Sequence, residues 1–426
     1  MVCVPNLLFA RSNGELLDLP GLKMAGRTGF SLVSPRPDEL IPLPQGATLT
    51  ALPGRLPLGI DRHTGKFLSL GFNPYRRNKE RVWAVGALLP QGFTRTLVPA
   101  YAGAKGQKTL PLLGYTAVGL HRGKFVVAAV QTDEDFLWNP ENYHTHDLPE
   151  RVNRKKREFP QNRLVAQLAT CSLEYGCFTA QNIFYGRWEG GIPVSPECNA
   201  LCVGCISSQP SECCPAPQRR LNFVPTVQEI VELAVPHLHS GENAMISFGQ
   251  GCEGEPSLQA GLIAESIKQV RKETAQGTIN INTNAGHTAN IKKIVDAGID
   301  AMRVSMISPT AQIYHAYHRP RNYGMGNVID SLAYAARAGV FTSLNLLAFP
   351  GFTDDESEIK GLIDLIKRAE VKKVQLRNLN IDPAYFLTIL PERKYKTRGI
   401  PGMISMLRQE VPDLEIGNYS RAVMRE

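Results

Sequence analysis

The sequence has 426 residues, which is enough for two or three domains. Its hydrophobic content of 43% and charged content of 20% are ordinary for a soluble globular protein, and no run of about 18 apolar residues predicts a membrane span. A net charge of +8 leaves nucleic acids, phosphorylated compounds and carboxylates open as partners.

The cysteine content indicates a reducing compartment. Nine cysteines in a chain of this length do not suggest a disulfide scaffold and fit a metal site better. The apolar stretch at residues 2–10 is brief and contains Pro5 and Asn6, so it does not resemble a secretion signal. We therefore expect a cytoplasmic protein.

Residues 1–160 are predicted to form a β-rich N-terminal domain of unknown role. Apolar runs at residues 81–88 and 123–130 are typical of strands, and Gly- and Pro-containing turns separate the short runs of this region. Its polar tail at residues 143–158 includes the basic run 151–157, which we interpret as the solvated face of a connector.

Residues 161–189 are predicted to be a helical connector, because their apolar residues approach a helical stripe. Cys171 and Cys177 fall here, and buried free cysteines usually behave as small hydrophobes. A second cluster formed with Cys213 and Cys214 is an open alternative, although no short ligand spacing supports it.

From residue 190 onward, strand-like and helix-like segments alternate. Capping boxes at Thr226–Glu229 and Thr353–Glu356 mark the start of two helices. This alternation predicts a parallel sheet with right-handed crossovers, and six βα units are too few for a closed eight-stranded barrel. The six predicted strands are residues 191–195, 244–248, 278–283, 301–307, 341–349 and 373–379.

The loop after the first of these strands holds Cys198, Cys202 and Cys205. A short loop with this spacing can turn three thiolates toward one centre, and soft sulfur ligands select iron–sulfur clusters, zinc or copper(I). Three thiolates would leave one iron of a [4Fe–4S] cluster open. A closed zinc site needs a fourth ligand, which Cys213-Cys214 could supply, and three unrelated buried thiols are the remaining alternative.

The CX3CX2C spacing of this loop resembles the radical SAM family. The resemblance implies that Cys198, Cys202 and Cys205 bind a [4Fe–4S] cluster whose open iron chelates S-adenosylmethionine. One departure is that Gly204 stands where the family usually has an aromatic residue before the third cysteine.

The family fold that the resemblance implies is a partial (βα)6 TIM-like barrel, here carrying the β-rich N-terminal domain and a short C-terminal extension. We assign residues 190–387 to this core and residues 388–426 to a C-terminal cap over the sheet or barrel mouth.

Candidate cofactor-binding residues follow the strand ends, where parallel α/β folds place their sites. Gly251, Gly254 and Glu255 resemble the family's glycine-rich motif for the methionyl amino group. Tyr314, Tyr317, His318 and Arg319 precede a helix and are predicted to be surface or packing residues, with a place lining the barrel mouth as the alternative. The remaining candidates for contacts to S-adenosylmethionine or substrate are Asn282, Asn284, Arg303, Ser305, Gln375 and Arg377.

The function implied by the resemblance is reductive cleavage of S-adenosylmethionine to a 5′-deoxyadenosyl radical, which removes hydrogen from a substrate. A ferredoxin- or flavodoxin-like protein is the expected electron donor, and a peptide, a protein or a cofactor precursor is the expected substrate. The alternative is a non-catalytic zinc- or iron–sulfur-binding module that docks RNA or a protein partner.

Overall fold

The structure is a computed structural model that describes residues 4–103, 107–133, 137–209, 214–241, 243–391 and 395–423. It has an antiparallel β region, a group of three helices and a parallel α/β region, in chain order. No helix in these described ranges is both long enough and apolar enough to cross a membrane.

The N-terminal region is antiparallel, as its short apolar runs and turns predict. Its main sheet runs β10-β14-β13-β9-β1-β2-β7-β12, with β5, β6 and β8 paired beside it, and a second sheet has the order β11-β3-β4. The strands are β1 (Asn6–Arg11), β2 (Leu16–Met24), β3 (Gly26–Thr28), β4 (Ser31–Val33), β5 (Leu40–Pro42), β6 (Thr48–Leu52), β7 (Arg55–Asp61), β8 (Phe67–Ser69), β9 (Val82–Leu88), β10 (Phe93–Arg95), β11 (Val98–Pro99), β12 (Tyr101–Gly103), β13 (Tyr115–His121) and β14 (Lys124–Gln131).

Three helices follow: α1 (Leu148–Glu158), α2 (Arg163–Leu173) and α3 (Phe178–Tyr185). The basic run 151–157, predicted to be the solvated face of a connector, lies within α1. Leu148 and Val152 are buried one turn apart on the inner face of α1, and their burial fixes the helix while Arg154, Lys156 and Arg157 stay exposed.

The parallel sheet has the order β15-β16-β17-β18-β19-β20-β21, and every neighbouring pair is parallel. Its edge strands β15 and β21 do not pair with each other, so the described sheet is an open, partial barrel. The strands are β15 (Glu189–Gly191), β16 (Met245–Phe248), β17 (Thr278–Thr283), β18 (Ala301–Met306), β19 (Phe341–Ala348), β20 (Lys373–Asn378) and β21 (Glu415–Gly417).

The helices of this region cover the sheet and bury the largest apolar cluster of the chain against it. Alternate strand residues such as Ile279 and Ile281 belong to this cluster, whereas their neighbours Asn280 and Asn282 hydrogen-bond to each other on the other face of the sheet. The helices are α4 (Val227–His239), α5 (Ala260–Glu273), α6 (Thr288–Asp296), α7 (Ala311–His318), α8 (Met325–Arg337), α9 (Glu356–Ala369), α10 (Pro383–Ile389) and α11 (Gly399–Glu410).

The structure confirms the predicted fold class and corrects three details. The first strand is shorter than predicted and ends at Gly191, because Pro193 has no N–H and the N–H groups of Val194 and Ser195 donate to the Glu253 carboxylate instead of to a strand. The helix predicted to start at a Thr353–Glu356 box is capped by Asp355.

The third correction concerns the C-terminal segment. Besides the helix α11, it supplies β21, a seventh parallel strand that pairs with β20. The three residues of β21 are too short to show a strand pattern in the sequence.

The N-terminal region packs against the carboxyl end of β20. Asn378, the last residue of β20, accepts a hydrogen bond from the backbone N–H of Arg95 at 2.9 Å and donates to the carbonyl of Phe93 at 2.9 Å. Just beyond it, Arg55 and Asp382 form a buried ion pair at 2.7 Å. The N-terminal region therefore borders the end of the sheet at which the cysteine loop lies.

Candidate active site

The cysteine loop leaves the carboxyl end of β15 and is held on one side by the glycine-rich turn after β16. The N–H of Gly254 donates to the carbonyl of Ser195 at 2.7 Å, and the N–H of Glu255 donates to the carbonyl of Glu197 at 2.7 Å. Cys198 comes directly after this pairing. The turn and the start of the loop therefore behave as one short two-stranded unit.

The other side of the loop lies along the end of α7. Backbone N–H groups of Leu201 and Val203 donate to the carbonyls of His318 and Tyr317 at 3.1 and 2.9 Å. A Cβ atom on Gly204 would lie 2.6 Å from the Tyr317 hydroxyl. Gly204 is thus explained by the tyrosine ring, which occupies the space beside the third cysteine. Tyr317 and His318, predicted from the sequence to be surface or packing residues or to line the mouth, are buried and border the loop.

The three cysteines are half-buried, and their sulfurs influence one another. Burial raises the pKa of Cys198 to about 11, and the nearby Glu255 carboxylate adds to this effect. Burial also raises the pKa of Cys202, with Cys198 and Cys205 contributing. Polar groups lie next to two of the sulfurs: the His318 ring is 3.3 Å from Cys202 Sγ and the Arg220 guanidinium is 3.5 Å from Cys205 Sγ.

Glu253 organises the glycine-rich turn, and the sequence analysis did not identify it. Its buried carboxylate accepts hydrogen bonds from four backbone N–H groups, at distances of 2.7 to 3.0 Å. Burial raises the pKa of Glu253 to about 7, against the lowering effect of these donors. The four donors belong to Val194, Ser195, Gly249 and Gln250, so the carboxylate ties the turn to the segment that leads into the cysteine loop.

Glu255 lies next to the loop, and its carboxylate oxygens have protein partners. It accepts from the backbone N–H of Ser257 at 3.0 Å and of Asn284 at 2.8 Å, and it contacts the Thr283 hydroxyl. Asn284 in turn donates to Asn199 of the cysteine loop at 2.6 Å. Glu255 and Asn284 therefore support the loop directly.

The other two candidates in this part of the chain lie around the same turn. Gly254 faces the carbonyl of Glu197, whereas Gly251 is exposed on the outer side of the turn, beside Ile206. Asn282, on β17, accepts from Asn280 at 3.1 Å within the sheet interior.

Arg303 and Arg377 point into a buried polar network inside the sheet, and Arg303 is directed toward the amino end of β15. Its guanidinium lies 3.4 Å from the Glu189 carboxylate and donates to Ser420 at 2.6 Å. Arg377 donates to Gln91 at 2.8 Å and to Asn418 at 3.0 Å, and it lies 3.4 Å from Gln375. These arginines are thus held by protein groups from the two ends of the chain.

Two polar side chains on neighbouring strands have no such partner among the described residues. Ser305 on β18 lies in register with Asn345 on β19, and both are half-buried. The Asn345 amide oxygen is buried without a hydrogen bond in the described part of the chain. Because an unsatisfied buried acceptor is costly, this pair is available for a bound molecule.

The structure does not support a second cluster composed of Cys171, Cys177, Cys213 and Cys214. Cys171 lies beside Cys252 in the main apolar cluster, whereas Cys214 belongs to a separate one. Cys213 lies outside the described residues. Within those residues, no three His, Cys, Asp or Glu side chains are arranged to bind a single metal ion.

No curated protein matches the chain. HydG, a maturase of the [FeFe]-hydrogenase, has 15% identity and a TM-score of 0.39, covering 66% of this chain; the chain spans 64% of HydG. Methylornithine synthase (PylB) has 15% identity and a TM-score of 0.36, covering 66% of this chain and 77% of PylB. Coproporphyrinogen III oxidase (HemN) from Escherichia coli has 12% identity and a TM-score of 0.36, covering 56% and 55%.

A protein-family model matches the region that contains the cysteine loop. The model of the radical SAM superfamily matches residues 192–364, which run from the end of β15 into α9. This family is one of enzymes, and the match was expected from the CX3CX2C spacing. The chain therefore carries a radical SAM domain at residues 192–364.

Proposed function

We propose that the protein is a radical SAM enzyme in which Cys198, Cys202 and Cys205 hold a [4Fe–4S] cluster. The observation that carries this proposal is the position of the three cysteines, on one loop at the carboxyl end of an open parallel sheet. The glycine-rich turn and Asn284 lie against the same loop. Sites of parallel α/β folds lie at this end.

The donor set fits the cluster. Three sulfurs from one loop match thiolate ligation of iron, and the His318 ring and the Arg220 guanidinium lie 3.3 and 3.5 Å from two of these sulfurs. When bound, the cluster and S-adenosylmethionine supply a 5′-deoxyadenosyl radical, which removes a hydrogen atom from the substrate.

The residues of the chain are assigned to positioning. Glu253 and Glu255 hold the turn and the loop together, and Ser305 and Asn345 offer polar groups to a molecule inside the sheet. Arg303, Gln375 and Arg377 shape the floor of this space, because their partners hold them in the buried network. The set proposed to contact S-adenosylmethionine or substrate comprises Asn345 and the residues proposed from the sequence, which are Gly251, Gly254, Glu255, Asn282, Asn284, Arg303, Ser305, Gln375 and Arg377.

The partners follow from this chemistry. One electron is needed for each cleavage, so a ferredoxin- or flavodoxin-type donor is proposed, and the substrate is a peptide, a protein or a cofactor precursor. A reducing, cytoplasmic location suits a chain whose described cysteines are not disulfide-bonded.

The experiment is anaerobic purification followed by incubation with dithionite and S-adenosylmethionine. The protein should be brown, contain about four irons at the cysteine loop and produce 5′-deoxyadenosine, detected by mass spectrometry. A variant with Cys198, Cys202 and Cys205 changed to Ala should lose all three properties. Cys177→Ala is the matched control, because this half-buried cysteine lies at the start of α3, outside the loop.

A colourless protein that contains zinc and makes no 5′-deoxyadenosine would contradict the proposal and favour the binding-module alternative. Iron binding that survives the triple cysteine change would place the cluster elsewhere in the chain.

A further inference from the structure

His318 is the last residue of α7, and its backbone is part of the support of the cysteine loop. Its carbonyl accepts from the N–H of Leu201 at 3.1 Å, and the carbonyl of Tyr317 accepts from Val203 at 2.9 Å. Beyond it, the N–H of Arg321 donates to the carbonyl of Asn199 at 2.8 Å. The His318 side chain is consequently fixed in place relative to the three cysteines.

The His318 ring contacts one of the three sulfurs. Its Nδ1 atom lies 3.3 Å from Cys202 Sγ, which is hydrogen-bond range for sulfur. The residue is 1% exposed, and its Nε2 atom is buried without a hydrogen-bond partner among the described residues. The rings of Tyr314 and Tyr317 pack against it at 4.4 and 5.0 Å. Within the described chain, the sulfur is thus the only side-chain partner of the ring nitrogens.

The direction of this hydrogen bond follows from the state of the sulfur. A metal-bound cysteine is a thiolate and has no proton to give, so Nδ1 must carry the hydrogen and donate. Neutral histidine carries a single N–H, and Nε2 is then a bare acceptor. The lack of a hydrogen-bond partner for Nε2 among the described residues is compatible with this tautomer.

A donor to a cluster sulfur changes the reduction potential. Reduction adds negative charge to the cluster and its sulfurs, and an N–H group pointed at a sulfur stabilises that charge. Burial strengthens the effect, because little water screens the contact.

We infer that His318 is a positioning residue that donates a hydrogen bond to the sulfur of Cys202 and raises the reduction potential of the cluster. The inference rests on the proposed function, since it requires the cluster. The end of α7, which lies outside the cysteine loop, thereby influences the reduction potential at which the enzyme accepts its electron.

The test is a redox titration of anaerobically reconstituted protein, followed by electron paramagnetic resonance of the reduced cluster. His318→Phe keeps a ring but removes the donor, and His318→Asn keeps an N–H close to the position of Nδ1. At the midpoint potential of the wild-type protein, His318→Phe should contain at least threefold less reduced cluster than oxidised cluster. This ratio corresponds to a midpoint potential lowered by about 30 mV for one electron. His318→Asn should stay closer to wild type.

His237→Phe is the matched control, because His237 is also buried but its Nε2 donates to the backbone carbonyl of Trp188, at 2.9 Å, and not to a sulfur. Its potential should equal that of wild type. A His318→Phe potential equal to wild type would overturn the inference and leave the proposed function standing. A wild-type protein with no cluster would instead overturn the proposed function.

A measurement on the unchanged protein covers the case in which His318→Phe fails to fold. In protein labelled with 15N at histidine only, the reduced cluster should show hyperfine coupling to one histidine nitrogen, and this coupling should be absent in His318→Asn. Absence of the coupling from the wild-type spectrum would overturn the inference.

Discussion

Gly254 is the position at which a single methyl group should do the most damage to the cysteine loop. A Cβ atom there would lie 1.9 Å from the carbonyl oxygen of Glu197 and 2.4 Å from its carbon. Carbon and oxygen normally approach to about 3.3 Å, so Gly254→Ala requires a displacement of about 1.4 Å, the difference between these two distances. Cys198 follows Glu197 directly and would move with it.

The cost can be worked from the two hydrogen bonds at this contact. Gly254 and Glu255 donate to Ser195 and Glu197 at 2.7 Å each, and the displacement breaks both. Each bond contributes about 1 kcal/mol, and an unsatisfied buried group adds to the loss. We expect Gly254→Ala to lower the free energy of unfolding by about 3 kcal/mol and to lower the iron content.

The assay is urea unfolding followed by circular dichroism, with iron measured on the same anaerobic preparations. The matched control is Gly326→Ala in α8, where no atom lies within 4 Å of a Cβ. This change should stabilise the protein by up to about 1 kcal/mol, because alanine favours helix. The reasoning is refuted if Gly254→Ala unfolds within about 1 kcal/mol of wild type and binds its full iron complement.

Two further predictions concern the packing around this site. Arg55→Ala leaves the buried Asp382 carboxylate without its ion-pair partner at 2.7 Å. We therefore expect the free energy of unfolding in urea to fall by about 3–5 kcal/mol. If the losses caused by Arg55→Ala and Asp382→Asn simply add in the double variant, the two side chains are not directly coupled. Arg163 lowers the pKa of Glu229 to about 2, so this carboxylate stabilises the fold above its unfolded pKa of about 4.3, and the benefit is lost as the pH falls toward 2. Glu229→Gln should therefore lower the thermal midpoint at pH 7 by an amount equivalent to about 1 kcal/mol, since Arg163 is half-exposed; a difference that does not shrink below pH 4 would be inconsistent with this linkage.

The local patterns of the sequence determined the α/β fold class and the position of the cysteine loop. The buried strands β17 and β19 span six and eight residues in which β-branched and apolar residues are interspersed with Thr, Ser and Asn, and Thr226 and Glu229 form the predicted capping box. These features depend on neighbours along the chain, which is why periodicity and spacing reveal them. The three cysteines belong to the same class, because one loop holds them all.

The supports of that loop were decided by tertiary structure alone. The Glu253 carboxylate accepts hydrogen bonds from N–H groups of two separate segments. The His318 ring, on another helix, lies 3.3 Å from Cys202 Sγ, and Arg303 is directed toward Glu189 instead of the loop. The seventh strand, β21, likewise owes its place to pairing with β20. A buried polar group takes whichever partner the folded chain brings within hydrogen-bond reach, and that choice leaves no periodic trace in the sequence.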